Sequence, residues 1–141
     1  MDAEEIRSRY AEGERDFSGV DLSEVFLSEV NLKRVSLWRA NLSKANLTGT
    51  NLSGADLFGT DLSNADLSNA VLCGANLSDA NLSNAVLHQA NLRTTLYNEA
   101  TKFPQNFDPE AAEAYKIAPN TSLVGADLSG LDLSGTNLNG A

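Results

Sequence analysis

Apolar and polar positions along this chain recur with a period of five. Residues 46–70 read NLTGT NLSGA DLFGT DLSNA DLSNA. The apolar centre of each block falls at Phe17, then at Leu22 and every fifth residue to Leu92, with Tyr97 next in phase. Two residues before the centre stands a second small apolar residue: Val20, Val25, Val30 and Val35, then mostly Ala, with Thr50 and Thr60 as exceptions. On an α-helix, steps of five turn successive centres by about 140° and scatter them round the circumference. On a flat strand, an odd repeat sends them to alternate faces. Neither a single helix nor a simple sheet buries this pattern.

A chain satisfies it by running extended for three residues, with i−2 and i inward and i−1 outward, then turning at i+1 and i+2. The i+2 position holds Gly19, Gly49, Gly54, Gly59 and Gly74, or Asn64, Asn69 and Asn84, residue types that accept a positive φ. If each turn is near a right angle, four blocks close a square coil and residue i lies on i+20. Coils stacked at the ~4.8 Å strand spacing give four layers, roughly 19 Å tall.

The A(N/D)LSX blocks, such as ADLSN at 65–69 and ANLSD at 75–79, resemble the pentapeptide-repeat family. The likeness covers 15–97 continuously and 121–141 again. It is nearest to the short cyanobacterial members, with RYAEGERDFSGV from Arg9 to Val20 and YNEATKFPQNFDPEAA from Tyr97 to Ala112. The resemblance implies an all-β solenoid, a right-handed quadrilateral β-helix of about four continuous coils. Short helical segments would cap its N-terminal end and interrupt it near the C-terminus.

The ends carry their own signals. A solenoid must cover its terminal coils, whose open edges otherwise invite aggregation. Asp2 followed by Glu5 is a capping-box pattern, Ile6 and Tyr10 share a face, and Gly13 suits a helix stop. Within a cap at 1–14, these predict a helix over about 3–12 lying on a first coil made wide by Phe17 and the Val positions. Residues 98–120 break the repeat. There Asp108–Pro109 reads as an N-cap and first helical residue, predicting a second helix over about 109–115. Centres resume at Leu123, Leu128, Leu133 and Leu138, one residue out of phase, so 121–141 is expected to form a packed or swapped fifth coil or an arm.

Composition removes several functions. The net charge of −9 gives direct nucleic-acid binding no basic surface to start from. Cys73 is the single cysteine, so no intramolecular disulfide forms, and no apolar run reaches membrane-spanning length. The expectation is a soluble, cytoplasmic protein. The Ser23, Ser43, Ser63, Ser83 column has no histidine base, and Asp56, Asp61 and Asp66 fall on three different sides. His88 and Cys73 lack the ligand number of a zinc site. Enzymatic activity, a bound metal and a cofactor are therefore not expected. The Asn-Leu-Ser sequons are products of the repeat itself, and inward Thr50 and Thr60 do not form the outward threonine array of an ice-binding surface.

Function is then left to the outward columns. One reads Ser18, Trp38, Phe58, Ser78, with Arg39 adjacent. Trp38, Phe58 and Arg39 form a candidate protein-interaction surface, against the alternative of a structural aromatic ladder or cover. Lys33, Arg34, Arg39 and Lys44 cluster beside Glu24 and Glu29, which reads as a mixed solvated face with cross-coil ion pairs, against the alternative of a local anion or protein site. The leading reading is a non-catalytic scaffold or interaction module for a protein partner, a monomer or a weak dimer through its C-terminal region. Family resemblance implies a competing one, an acidic DNA mimic that binds DNA gyrase. Residues 16–92 carry eight acidic and four basic side chains, 8 − 4 = 4 net negative charges, a modest surface for such a mimic. A structural or stress-related solubility role is the third.

Overall fold

The structure is a computed structural model that describes residues 1–118, 123–131, 133, 138 and 139. Its body is a stack of square coils. Parallel bridges join each outward i−1 residue to the one twenty positions later, from Asp16↔Ser36 to Asn76↔Leu96, on all four sides. We number the sides by their centres: side 1 holds 17, 37, 57, 77 and 97, and sides 2, 3 and 4 begin at 22, 27 and 32. Each block repeats one hydrogen-bond set. On side 1, Leu37 N–H donates to the Asp56 carbonyl (2.8 Å) and Asp56 N–H to the Val35 carbonyl (2.9 Å). Arg39 N–H donates to the Phe58 carbonyl (2.8 Å), and Ala40 N–H closes the turn on the Leu37 carbonyl (2.9 Å). These bonds pair the backbone N–H groups at i−1, i, i+2 and i+3 with the neighbouring coils or the block's own turn.

The interior is a column of leucines with small residues between. Leu27 to Leu82 are fully buried at every centre, with Ala40, Ala45, Ala55, Ala65, Ala70, Ala75 and Ala80 beside them. The inward threonines are satisfied rather than anomalous. Thr50 and Thr60 donate their hydroxyls to the Leu27 and Leu37 carbonyls (2.6 and 2.7 Å), and Thr95 does the same to Leu72 (2.8 Å). Each uses the second lone pair of a carbonyl that already accepts a turn N–H. Outside, an Asn or Asp at i−1 accepts the N–H two residues on, as Asn51 does from Ser53 (3.0 Å), fixing the start of the turn.

Helix α1 (Ala3–Ala11) closes the lower end. Asp2 caps it by accepting the Glu5 N–H (2.8 Å). Ile6 is fully buried, and Met1, Ala3 and Tyr10 pack against the core. Carbonyls of the first coil that have no coil beneath them receive donors instead: Asp21 from the N-terminal ammonium (3.0 Å), Phe26 from Arg7 (3.1 Å) and Lys33 from the Tyr10 hydroxyl (2.9 Å). The lower edge is blunted by both packing and hydrogen bonds.

The upper end differs from the expectation. Asp108 does accept the Glu110 and Ala111 N–H groups (3.0 and 3.2 Å), but no helix over 109–115 follows. Residues 109–113 make a single turn, closed by Ala114 N–H on the Pro109 carbonyl (3.0 Å) with Glu113 at φ 59. The left-handed residue stops the helix before a second turn can form. Nor does 98–118 merely interrupt the solenoid, because it makes another circuit. Strand β1 (Leu96–Tyr97) pairs in parallel with β2 (Tyr115–Lys116), Leu96 on Tyr115, and Asn81 bridges Lys102. One extra residue lies in the turn after Tyr97, since 102 − 81 = 21 where lower coils step by twenty. Phe103 and Phe107 take the place of leucines, Phe103 edge-on to Tyr97 (5.3 Å between centroids) and stacked with Phe107 (5.2 Å).

Of the tail, residues 123–131 keep the block turns, with Ala126 N–H on the Leu123 carbonyl (3.0 Å) and Leu131 N–H on Leu128 (3.3 Å). Among the described residues they add no bridge to the stack. Instead, Asp127 N–H donates to the Tyr115 hydroxyl (3.2 Å), and Leu131 lies against Gly74. The expectation of further repeats over 121–141 falls outside the described residues at 121–122, 132, 134–137 and 140–141, as does the end of the non-repeat segment at 119–120.

Candidate interaction surface

The i+1 column of side 1 is built by the block geometry: Trp38 and Phe58 stand directly above one another because their blocks do. Their rings are stacked, with centroids 6.4 Å apart and planes at 13°. Trp38 keeps 40% of its surface exposed, and Phe58 is half-buried. The Arg39 guanidinium lies over the Trp38 ring, 4.4 Å from its centroid, a cation–π contact. Helix α1 sits under the first coil; none of its hydrogen bonds reaches side 1 of the second or third coil. Phe58 N–H is held by the Asp56 carboxylate (3.0 Å), so the base of the ring is fixed by the same turn that fixes every block.

Arg39 adopts a left-handed conformation, φ 53, as does Arg34 at φ 57. A glycine lies above each. A Cβ on Gly59 would stand 3.1 Å from Arg39 Cγ, and one on Gly54 3.4 Å from Arg34 Cγ. Those glycines therefore leave room for the arginine stems to lie upward along the corners of the prism. The expected mixed charged face is seen in part: Lys44 pairs with Glu24 (3.0 Å) across one coil, whereas Lys33, Arg34 and Arg39 have no carboxylate within ion-pair distance among the described residues.

Other expected groups stay apart. Cys73 is partly buried, and among the described residues no three His, Cys, Asp or Glu side chains are placed to hold a metal. No helix is long and apolar enough to cross a membrane. The Asp residues at i−1 serve turns. The Ser18 hydroxyl and N–H hold Asp16 below the usual carboxylate range, and Ser68 does the same for Asp66. Sequence reasoning passed over Phe26, 69% exposed at an i−1 position of side 3, and Val86, 48% exposed on the same side. Both were legible as outward from the phase alone, as apolar residues in columns of Asn and Asp. A cleft of 310 Å³ lies between the upper circuit and the tail, lined by Tyr97, Glu110, Tyr115, Lys116 and Leu123 among others. Burial there raises the Tyr97 hydroxyl above its ordinary pKa.

The chain matches the model for pentapeptide repeats in eight copies, over residues 16–54, 27–64, 60–95 and 117–141. Comparison with curated proteins gives no match. Among solved structures it is similar to alr5209, a pentapeptide repeat protein from Nostoc PCC 7120, at 41% identity, covering 82% of this chain and 95% of that one with a TM-score of 0.81. It is similar also to Rfr23 from the cyanobacterium Cyanothece 51142, at 27% identity over 72% of this chain and 99% of that one, TM-score 0.33. A third likeness is to a pentapeptide repeat protein of the Arabidopsis thaliana thylakoid lumen, at 29% identity over 60% and 66% of the two chains, TM-score 0.29.

Proposed function

Since the chain belongs to the pentapeptide-repeat family, we propose that it is a non-catalytic scaffold, a rigid prism that presents side 1 to a protein partner. The observation that carries this reading is the exposed Trp38, stacked on Phe58 and topped by Arg39, on a face that α1 leaves open. Trp and Arg dominate the energetics of protein interfaces when they are pre-ordered and desolvated on binding. Here the ladder beneath the column supplies the ordering. The Asp residues at i−1 are held by turns, and the Ser23, Ser43, Ser63, Ser83 column has no histidine base, which favours recognition rather than catalysis as the chemistry of the surface. We place the protein in the cytoplasm, as a monomer or as a weak dimer through its C-terminal region.

The test is affinity capture from a cyanobacterial lysate with wild type and a Trp38→Ser/Phe58→Ser variant, followed by cross-linking from residues introduced at Ser18 and Ser78. A partner captured by the wild type, cross-linked to side 1 and lost with the variant supports the reading. A partner retained by the variant, or cross-linked only to other sides, removes it.

A further inference from the structure

Resting on that reading of side 1, we infer that its partner is an acidic, extended peptide segment, with carboxylates four residues apart that bracket an apolar side chain on the same face. The chain has ten Lys and Arg among nineteen Asp and Glu, so an unpaired cation is the exception to be explained. Arg9, Lys44, Arg93 and Lys116 pair with carboxylates. Arg7 and Arg15 donate to carbonyls. Of the four that remain, Lys33, Arg34, Arg39 and Lys102, three fall within seven consecutive residues, all exposed. They flank the aromatic column: Arg34 occupies the corner before side 1 of the second coil, and Arg39 the corner after it.

The acids on that side are already engaged. Asp16 accepts from the Ser18 N–H and hydroxyl (3.0 and 2.6 Å), Asp56 from the Phe58 N–H (3.0 Å), and Asp79 from the Asn98 amide (2.7 Å). Among the described residues the arginines are served by no carboxylate, yet their stems are directed along Gly54 and Gly59 toward the level of Phe58. Stacking on Trp38 leaves the edge of the Arg39 guanidinium, with its fork of N–H donors, free for a carboxylate. The two corners are separated by one side of the prism, three extended residues or roughly 10 Å. An extended ligand turns residues i, i+2 and i+4 to one face, which places carboxylates four residues apart at roughly 13 Å, a span the two long arginine side chains can reach, with the apolar side chain between them against the Trp38 and Phe58 rings. Charge complementarity makes the partner acidic although the protein itself carries a net charge of −9.

The experiment is selection of a random dodecapeptide phage library on the immobilised full chain, with the recovered peptides synthesised and titrated against Trp38, the sole tryptophan and hence an unambiguous fluorescence reporter. We expect recovered peptides to be enriched in Asp and Glu at the stated spacing, with affinity that falls as salt rises. Affinity should drop at least about tenfold in an Arg34→Gln/Arg39→Gln variant whose circular dichroism is unchanged. Peptides without acidic bias, or with unaltered affinity for the arginine variant, overturn the inference. If those peptides still need Trp38 and Phe58, the interaction surface stands and only its acidic partner is removed. If they need neither pair, both fall.

Discussion

Asn51 shows how one residue sets the shape of a block. Its Oδ1 accepts both the N–H and the hydroxyl of Ser53 (3.0 and 2.6 Å), and the N–H bond recurs on every side. Asn51→Ala removes the acceptor and should cost about 1 kcal/mol in chemical denaturation. Thr50→Val keeps the shape but loses the bond to the Leu27 carbonyl and should cost a similar amount, about 1 kcal/mol. Where the i−1 residue is Asp, the same bond titrates. The Ser18 and Ser68 hydroxyls chiefly, and the Ser23 N–H in the case of Asp21, lower the carboxyl pKa of Asp16, Asp66 and Asp21. A depressed folded pKa gives stabilisation that is full above the unfolded value of about 3.9 and is lost as pH falls through the lower folded value. Thermal midpoints should therefore be flat near pH 6 and fall below about pH 4. Asp66→Asn, which keeps the acceptor, should reduce that fall. At this scale the sequence was readable for Leu, Ala and Asn, whose roles follow from size and turn chemistry. It was less so at i+2, where Glu24, Glu29, Arg34, Arg39, Lys44 and Thr94 adopt positive φ without being Gly or Asn. The ladder imposes that conformation against local preference.

The elements at the two ends are held by different devices. Helix α1 could be placed from Asp2, Glu5 and Ile6 because capping and i, i+4 spacing are local signals. Ile6→Ala should cost about 2–4 kcal/mol. The upper circuit could not be placed that way. Its inward residues are aromatic and irregularly spaced, and the extra residue after Tyr97 breaks the phase that makes the lower coils visible. The turn at Asp108 read as a helix start, but nothing local announced that Glu113 would end it. This circuit also leaves part of the fourth coil uncapped: the N–H groups of Asn84, Leu87 and Gln89 find no acceptor among the described residues, whereas Asn64, Leu67 and Asn69 one coil below donate to Ser83, Val86 and His88. Hydrogen exchange should be at least tenfold faster, by roughly 1.4 kcal/mol of lost protection, at the upper three amides than at the lower three. Equal protection at the two levels would mean that a partner or another copy covers that edge.

As a whole, the molecule is a one-dimensional stack in which each coil touches only its neighbours, and outward residues are free to vary while the core column is fixed. That division made the fold plain from the Leu and Ala columns and made function obscure, since any outward residue can be a contact. Trp38 and Phe58 stood out by contrast with Ser and Thr; the open corners beside them depend on Gly54 and Gly59, whose significance appears only when i and i+20 are stacked. The central claim is that this column serves recognition, not support. Its most direct test is equilibrium urea denaturation of wild type and Trp38→Ser/Phe58→Ser, followed by far-ultraviolet circular dichroism. The ring pair contributes about 0.5–1.5 kcal/mol beyond its burial, and the partial burial of each ring about 1 kcal/mol, so the account predicts a loss of no more than about 3.5 kcal/mol with an unchanged native spectrum. A loss of 4 kcal/mol or more, or a collapse of the native spectrum, would show the column to be structural cover and contradict it.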